Sequence, residues 1–242
     1  MNAAQKATAE TGRVSVIVVT YNAAATLQAC LDSIFAQSYP DIEVVVIDGA
    51  STDGTVDILQ ANTTRIAYCK SEPDKGIYDA MNKALRHITG QWVYFLGADD
   101  ELLPAFSDFA SALDDGHAIY YANVLHRGVK RAGEVTPYYM AKVGIYHQSI
   151  IYPAIAFTGH QYDTRYRVFA DWAFNMQCYG RGFTFTYRDL IIANYSHTGL
   201  SSHAADPAFE RDRQEIILKN FGLKIWMRYR FRRFKEKLKK KS

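Results

Sequence analysis

Hydrophobic positions follow two different periods along the first hundred residues. Near-continuous apolar runs such as Val14 to Val19 predict buried strands, and apolar residues spaced three or four apart, such as Leu27 and Leu31, predict helices between them. The predicted strands cover residues 13–20, 42–47, 65–70 and 91–96, and the predicted helices cover 25–37, 55–61 and 78–87. Strands that alternate with short helices are typical of βαβ units, so the pattern predicts an α/β fold with a mostly parallel sheet flanked by helices.

The pattern is less regular after residue 101. It predicts strands at 118–125, 133–139, 149–152, 183–188 and 190–196, and helices at 103–113, 171–179, 208–220 and 224–240. In the first half, polar clusters follow three of the strands, at residues 20–22, 48–53 and 99–100. Because ligands of parallel sheets bind at the carboxyl ends of the strands, these clusters predict one shared site.

The composition is that of a folded domain. Of 242 residues, 48% are hydrophobic and 22% are charged, which excludes a disordered chain and a disulfide-stapled miniprotein. No apolar run approaches the roughly 18 residues of a membrane span, and the polar, alanine-rich first 13 residues predict no export signal. Three widely separated cysteines without a Cys-x-x-Cys pair indicate the reduced thiols of a cytosolic protein.

The net charge of +3 is unevenly distributed. Residues 218–242 contain eleven Lys or Arg and one acidic residue, and the remainder carries a net charge of −7. On a helix, this basic end would present one apolar stripe, joined at its edge by Trp226 and Tyr229: Leu223, Met227, Phe231, Phe234 and Leu238. Such a helix predicts docking on an anionic membrane surface. Packing of the stripe on its own domain is the alternative, and nucleic-acid binding is less favoured because the rest of the chain is acidic.

The segment Asp48 to Thr55 (D-G-A-S-T-D-G-T) follows a predicted strand and opens a predicted helix. Its glycines permit tight turns, and its carboxylates can accept hydrogen bonds from ribose hydroxyls or a base N–H. It lacks the glycine pattern of dinucleotide binders and the lysine of a phosphate loop. The residues alone leave a nucleotide pocket and a capped helix start both open.

Asp99 and Asp100 follow the apolar strand that ends near Leu96. Adjacent carboxylates there suit Mg²⁺ or Mn²⁺ holding a substrate diphosphate. An acidic turn that caps the next helix is the alternative.

Taken in order and spacing, four segments resemble the family 2 glycosyltransferases, inverting enzymes of the GT-A fold that use nucleotide-diphosphate sugars. The bacterial polysaccharide-assembly members are the most similar. The segments are V-S-V-I-V-V-T-Y-N (14–22), V-V-V-I-D-G-A-S-T-D-G-T (44–55), E-P-D-K-G-I-Y-D-A-M-N-K-A (72–84) and V-Y-F-L-G-A-D-D (93–100). The resemblance is strong over residues 13–104 and weaker to about 202.

We divide the chain accordingly into four parts. Residues 1–12 are expected to be a disordered N-terminus. The resemblance implies that 13–104 form the nucleotide-sugar-binding half, and that 105–217 form the acceptor-binding and catalytic half of the same domain. Residues 218–242 form the basic amphipathic C-terminal helix.

The resemblance implies a donor site built from strand-end and loop residues: Thr20, Tyr21, Asn22, Asp48, Lys75, Asp79, Asn82, Ala98 and Asp99. Tyr21 would lie near the base, and Asp48 would hold the uracil or thymine ring or its ribose. Lys75 would meet the diphosphate or ribose, with a solvated surface lysine as the alternative. Asp79 and Asn82 would face the sugar, with local capping as the alternative.

The D-x-D signature of the family aligns with Gly97-Ala98-Asp99, so a glycine replaces the first aspartate. Asp99 is then the expected ligand of Mn²⁺ or Mg²⁺, and Asp100 would assist it or cap the next helix. The departure leaves open which group holds the ribose. Together with the unusual His197, it also motivates an alternative, a catalytically weak nucleotide-sugar-binding or scaffolding protein of the same fold.

An inverting transfer needs a base that removes the proton of the acceptor hydroxyl. In the family this base precedes an aromatic-rich helix. The segment V-F-A-D-W-A-F (168–174) fits, which makes Asp171 the expected base and Asp163 the second choice. Asp171 also suits a helix N-cap, and the two roles are compatible.

The resemblance also implies contacts on the acceptor side. His147 and Gln148 would contact acceptor or sugar, and Trp172 would join them, with a structural role for His147 as the alternative. His197, in the segment Y-S-H-T-G-L-S (195–201), is considered as a second metal ligand.

The expected protein is therefore an inverting, metal-dependent glycosyltransferase. It would move a hexose or N-acetylhexosamine from a UDP- or dTDP-sugar to a hydroxyl of a lipid-linked saccharide in surface polysaccharide biosynthesis, at the inner face of the cell membrane. The identity of the sugar, acceptor and linkage is not predicted, because it depends on a few contacts in the variable second half.

Overall fold

The protein is built around one mixed β-sheet. The computed structural model describes residues 10–131, 133–196 and 205–239. The strands of this described part are β1 (Glu10–Thr20), β2 (Ile42–Asp48), β3 (Tyr68–Ser71), β4 (Gly90–Gly97), β5 (Glu101–Leu102), β6 (Ala118–His126), β7 (Val129–Arg131), β8 (Ile150–Pro153) and β9 (Thr184–Tyr195). The helices are α1 (Leu27–Phe35), α2 (Thr55–Ala61), α3 (Ile77–Ala84), α4 (Ala105–Ser111), α5 (Pro137–Val143), α6 (Ala170–Gly180) and α7 (Pro207–Lys239). The strand order is β3-β2-β1-β4-β8-β6-β9-β5, and β7 pairs with β6.

The first half is parallel, as predicted. β1 pairs in parallel with β2 and β4, and β2 pairs with β3. Alternate residues of β1 enter two separate cores: Ile17 and Val19 belong to one, and Val16 and Val18 belong to the other. Both faces of the strand are therefore covered, which is why its sequence is a continuous apolar run.

The register brings the predicted polar clusters together. Thr20 lies opposite Asp48, Asp48 lies opposite Ser71, and Val19 lies opposite Gly97. The chain therefore leaves these strands at one edge of the sheet, as the α/β prediction requires.

The second half joins this sheet through β8, which lies between β4 and β6 and is antiparallel to both. The strand predicted at 133–139 is wrong, because α5 begins there. Thr136 caps the helix by accepting a hydrogen bond from the Tyr139 N–H at 3.2 Å, and Pro137 occupies the first turn. The two strands predicted at 183–188 and 190–196 form the single strand β9.

The N-terminal boundary lies earlier than predicted. β1 begins at Glu10, which pairs with Gly90, and the Gly12 N–H donates to Gln91 Oε1 at 3.2 Å. The expectation of disorder is therefore wrong for residues 10–12. Residues 1–9 lie outside the described part of the chain.

α7 consists of two helical segments that meet at Gly222, whose φ of 77° breaks the helix. The break falls between the two helices that the spacing predicts. In the second segment Tyr229 is buried, so the prediction that it joins the edge of the apolar stripe is wrong. The five stripe residues themselves are between 52% and 61% exposed, so the stripe does not pack on the described part of the domain, which was the alternative.

Candidate functional site

The ends of β1 and β2 form a hydrogen-bonded pair of loops. Asp48 is fully buried and accepts hydrogen bonds from the Ser51 N–H at 2.9 Å, from Ser51 Oγ at 2.5 Å and from Ser71 Oγ at 2.5 Å. Asn22, in the left-handed region with φ 48°, accepts from the Thr52 N–H at 2.9 Å. Both residues therefore shape the loops, and a direct contact of Asp48 with a base or ribose remains a prediction.

Tyr21 lies at the open side of these loops and is 67% exposed. A β-carbon on Gly49 would come within 3.3 Å of the Tyr21 ring and 2.6 Å of Asp74 Oδ2. Glycine at position 49 thus lets the ring and the carboxylate approach the backbone closely. The exposed ring is available for a planar group to stack on, consistent with the role expected of Tyr21.

The three residues of the third motif that were expected to contact the donor have different environments. Lys75 is exposed, which fits both the expected ligand contact and the alternative of a solvated surface lysine, so its role stays a prediction. Asp79 accepts from the Lys75 N–H at 3.0 Å and lies 3.5 Å from Lys83 Nζ, so it occupies the capping role given as the alternative. Asn82 is buried and makes two 2.9 Å hydrogen bonds with the backbone of Tyr162. Its expected contact with the sugar is not supported, because its amide already holds this segment.

Two carboxylates fill the space beside Gly97. A β-carbon at that position would lie 2.7 Å from Asp100 Oδ2 and 3.0 Å from Asp99 Oδ1. Asp99 is half-buried, whereas Asp100 is 1% exposed, and its Oδ1 accepts from the Ser196 N–H at 2.7 Å. Ala98, which lies between Gly97 and Asp99 in the chain, is buried. Where the family signature has its first aspartate, this chain has a glycine, and the carboxylates of Asp99 and Asp100 occupy the space beside it.

Burial raises the pKa of Asp100 to about 7. The hydrogen bond from Ser196 opposes this rise, and the charge of Asp99 adds to it. Asp100 Oδ2 is buried with no hydrogen-bond partner in the described chain, and the same is true of Thr20 Oγ1 at the end of β1. Asp100 Oδ2 and Asp99 Oδ1 both lie beside Gly97, and carboxylate oxygens are the hard donors that Mg²⁺ or Mn²⁺ prefers, so these two residues fit the expected metal.

A cleft of about 550 Å³ adjoins this strand end. Gly97 lines one part of its wall and Asp171, near the start of α6, lines another. Asp171 Oδ1 lies 2.7 Å from the hydroxyl of Tyr78, which also lines the cleft. Within residues 10–131, 133–196 and 205–239, Asp171 Oδ2 has no hydrogen-bond partner. The expected base thus has one oxygen held and one available.

The three residues expected on the acceptor side all line this cleft. His147 Nε2 lies 2.9 Å from the Tyr162 hydroxyl, and its ring stacks on Phe95 with centroids 5.0 Å apart. The main-chain carbonyl oxygen of Gln148 accepts a hydrogen bond from the Tyr94 hydroxyl at 2.6 Å. Trp172 Nε1 donates to the carbonyl of Met140 at 2.7 Å, so the ring forms a fixed wall: the position agrees with the expectation, and the polar atom serves the fold.

The second choice of base is placed elsewhere. Asp163 Oδ2 pairs with Arg165 at 2.7 Å, and the hydrogen bonds from Arg165 lower the pKa of Asp163. Asp163 does not line the cleft, so the structure favours Asp171.

The remaining metal prediction is not described. His197 lies outside the described residues. In the described ranges, no group of three or more His, Cys, Asp or Glu side chains converges to hold a metal ion.

Sequence reasoning missed two contributors. Tyr78 lies inside the third motif, but nothing in the spacing showed that it would reach across to Asp171. Ser71, which donates to Asp48, is a polar residue at the end of a strand, and the same rule that selected residues 20–22 and 48–53 would have found it.

Comparisons with known proteins identify the family of this chain. The family model for "Glycosyl transferase family 2" matches residues 15–183. The chain is 38% identical over 208 residues to the "PGL/p-HBAD biosynthesis glycosyltransferase" of Mycobacterium bovis, covering 81% of each chain. Over 88 residues it is 38% identical to the Escherichia coli "UDP-Glc:alpha-D-GlcNAc-diphosphoundecaprenol beta-1,3-glucosyltransferase WfaP", covering 36% of this chain and 35% of that one.

A solved structure supports the fold. S. aureus TarS 1–349 in complex with UDP-GlcNAc superimposes with a TM-score of 0.77 at 20% identity, covering 92% of this chain and 73% of that one. The chain therefore has the GT-A-like fold that the four motifs led us to expect. Together with the match over residues 15–183 and the relative that is 38% identical, this shows that the chain belongs to glycosyl transferase family 2.

Proposed function

We propose that this glycosyltransferase is inverting and metal-dependent and transfers a hexose or N-acetylhexosamine from a UDP- or dTDP-sugar to a lipid-linked saccharide. The observation that carries the proposal is that Gly97, next to Asp99, and Asp171 line one cleft. A donor held at the strand ends and an acceptor in the cleft would then meet between a metal-binding carboxylate and a base. The proposed setting is surface polysaccharide or glycolipid assembly.

Asp171 is the proposed base. The acceptor hydroxyl attacks the anomeric carbon from the face opposite the nucleotide, the new C–O bond forms, and the bond to the diphosphate oxygen breaks, which inverts the configuration. Oδ2 of Asp171 accepts the hydroxyl proton while the hydrogen bond from Tyr78 to Oδ1 holds the carboxylate in place. Proton removal by a positioned carboxylate is worth about 10²–10⁴ in rate.

Asp99 is the proposed ligand of Mn²⁺ or Mg²⁺, with Asp100 beneath it. When bound, the ion offsets the negative charge that develops on the departing diphosphate. Gly97 leaves room for the two carboxylates to lie side by side, and Ala98 presents no polar group that competes with them.

The proposed nucleotide site lies on the loops after β1 and β2, with Tyr21 against the base and Lys75 at the diphosphate. Two similar proteins support a uridine nucleotide, since one is named as a UDP-Glc-dependent enzyme and the other was solved with UDP-GlcNAc. The name of the E. coli relative, which acts on a diphosphoundecaprenol-linked sugar, supports the lipid-linked acceptor.

The deciding experiment is a calorimetric screen of UDP-, dTDP- and GDP-sugars in the presence of Mn²⁺, followed by transfer assays on an acceptor panel. We expect a uridine or thymidine diphosphate sugar to bind and to be turned over. Binding without hydrolysis or transfer would favour the second candidate function, a nucleotide-sugar-binding or scaffolding protein, which Gly97 at the position of a metal-site aspartate motivates. No binding of any donor would contradict both.

We further propose that α7 holds the protein at the inner face of the cell membrane. No helix in the described chain is long and apolar enough to cross a bilayer. The exposed stripe of the second α7 segment is flanked by cations, among them Arg230 over the Trp226 ring at 4.9 Å and Lys235 over the Phe231 ring at 4.6 Å. An exposed apolar stripe with basic flanks suits an anionic membrane surface.

A further inference from the structure

α5 and Tyr146, three residues after its end, present apolar side chains to solvent at the edge of the cleft. Tyr139 and Val143 lie one helical turn apart on the same face and are 44% and 45% exposed, and Tyr146 is 36% exposed. All three also line the cleft that contains Asp171. We call these three residues the apolar ridge. An apolar surface that runs from solvent into a proposed catalytic cleft indicates a ligand that covers it.

Other contacts of α5 fix the ridge beside α7. Arg213, in the first segment of α7, donates to the carbonyl oxygen of Ala141 at 3.3 Å. Arg228, in the second segment, lies 3.9 Å from the centroid of the Tyr138 ring. Two of the three ridge residues, Tyr139 and Val143, are therefore on the helix that packs directly against the proposed membrane-binding segment. A molecule that leaves the cleft over the ridge passes close to that segment.

The charge of the nearby wall fits an acceptor that carries phosphate. Lys130 and Arg131 of β7 line the same cleft. Lys130 pairs with Asp189, whereas the Arg131 side chain is exposed and has no ion pair in the described part of the chain. A cation beside an apolar ridge matches the phosphate and hydrocarbon of a lipid-linked sugar better than it matches a free saccharide.

We propose that the apolar ridge binds the first part of the acceptor's hydrocarbon chain, so that the enzyme selects amphiphilic acceptors. This inference rests on the proposed function and adds the position of the lipid. The reacting hydroxyl lies at Asp171, and the chain leaves the cleft across Tyr139 and Val143 toward the bilayer at α7. Lipid selection then comes from the cleft itself, in addition to any membrane docking.

The test compares monomeric octyl and methyl glycosides of glucose and N-acetylglucosamine, below the micelle concentration, by calorimetry on the full chain. Each buried methylene tightens binding about fourfold. We expect octyl glycosides to bind at least about tenfold more tightly than methyl glycosides. In Tyr139→Ser/Val143→Ser this preference should fall to about twofold or less, while Tyr139→Phe keeps it.

Two matched variants isolate the ridge. Ile155→Ser removes a similarly exposed apolar side chain that lies away from the cleft, and Phe231→Ser/Phe234→Ser removes the α7 stripe. Both should keep the octyl preference. Equal binding of octyl and methyl glycosides, undetectable binding of the octyl glycosides, a preference that survives in the ridge double variant, or one lost with the α7 variant would overturn the inference.

Donor binding separates the two proposals. If a UDP- or dTDP-sugar binds but the octyl preference is absent, only the position of the lipid is wrong. If no nucleotide sugar binds, the proposed function itself fails.

Discussion

The phenolic oxygen of Tyr78 lies 2.7 Å from Oδ1 of Asp171 and 2.7 Å from the carbonyl oxygen of Val168. Burial, and next the charge of Asp171, raise the pKa of Tyr78 well above its ordinary value, so the hydroxyl remains a donor. Tyr78 belongs to α3 in the first half of the chain, and Asp171 belongs to α6 in the second half. This hydrogen bond therefore links the two halves at the proposed base.

Asp171→Asn should abolish most of the turnover while leaving donor binding unchanged. The amide keeps the shape and can still accept from Tyr78, but it cannot remove a proton, so we expect kcat to fall by a factor of about 10²–10⁴. Steady-state rates at saturating donor and acceptor, together with calorimetric donor affinity, measure the two effects separately. Near-normal kcat in this variant would show that another group is the base.

Tyr78→Phe should lower kcat less, by about tenfold, because the carboxylate remains but loses the donor that holds it. In a double variant with Asp171→Asn, the loss should be no larger than that of Asp171→Asn alone, since Tyr78 acts through Asp171. A double variant whose losses simply multiply would place Tyr78 in contact with substrate instead.

The parallel half of the fold was predictable from the sequence because its strands are buried on both faces and therefore appear as continuous apolar runs. α5 was not, because it is only seven residues long and its apolar residues are too few to distinguish the period of a helix from that of a strand. Thr136, a helix cap, and Pro137, a first-turn proline, did indicate a helix start, but the hydrophobic pattern of residues 133–139 favoured a strand.

The candidate site was predictable in position but only partly in role. The strand-end rule brings Thr20, Asp48 and Asp99 to one edge of the sheet whatever each side chain does there. Their partners come from distant segments: Asn82 is engaged by the backbone of Tyr162, 80 residues later, and Asp171 by Tyr78, 93 residues earlier. Such pairings depend on tertiary packing, which local spacing does not encode.

Gly97→Asp, which restores the family signature, should not improve this enzyme. Its β-carbon would lie 2.7 Å from Asp100 Oδ2, and a third carboxylate would repel the two already present. We expect a loss of about 1–3 kcal/mol in the free energy of unfolding and no gain in Mn²⁺ affinity. Urea denaturation and Mn²⁺ titration by electron paramagnetic resonance measure these.

Gly97→Ala serves as the control, because it adds the β-carbon without the charge. Tighter Mn²⁺ binding together with faster transfer in Gly97→Asp would show that position 97 lacks a ligand that the present carboxylates do not replace.

His147 should make the protein less stable as the pH falls below about 6.5. Burial lowers the pKa of His147 below its ordinary value of 6.5, with a smaller opposing effect from Asp171. The unfolded chain therefore takes up a proton first, and stability present above pH 6.5 is lost on acidification toward the folded-state pKa. We expect the difference in Tm between pH 7.5 and pH 5.5 to shrink in His147→Phe, whose ring can still stack on Phe95.

His87→Gln is the matched control for this effect. The pKa of His87 is also lowered, and partial desolvation is the largest cause. Because His87 is an exposed residue, its substitution should change the Tm difference much less. Equal effects of the two substitutions would contradict the role given to burial at His147.

The exposed stripe of α7 gives the sharpest test of membrane docking. Deleting the chain after Asn220 would also remove Tyr229, which is buried and whose ring centroid lies 5.1 Å from the guanidinium carbon of Arg213. A loss of vesicle binding in that variant could then reflect a loss of folding. Phe231→Ser/Phe234→Ser changes only side chains that are 61% and 59% exposed. We expect this variant to bind vesicles containing anionic phosphatidylglycerol at least about tenfold more weakly, because each phenylalanine contributes up to about 1.5–3 kcal/mol when buried in the interface.

Single substitutions provide the comparison: Phe231→Ser should weaken vesicle binding, and Ile155→Ser, at a 49% exposed site on another part of the chain, should not. The basic flanks add a second signature, since screening by salt should weaken binding to anionic vesicles and leave the weak binding to neutral phosphatidylcholine vesicles unchanged. Co-sedimentation measures all of these. If the double variant sediments with anionic vesicles as the unmodified protein does, the stripe has another partner, and the apolar face of α7 is not what holds the enzyme near its lipid-linked acceptor.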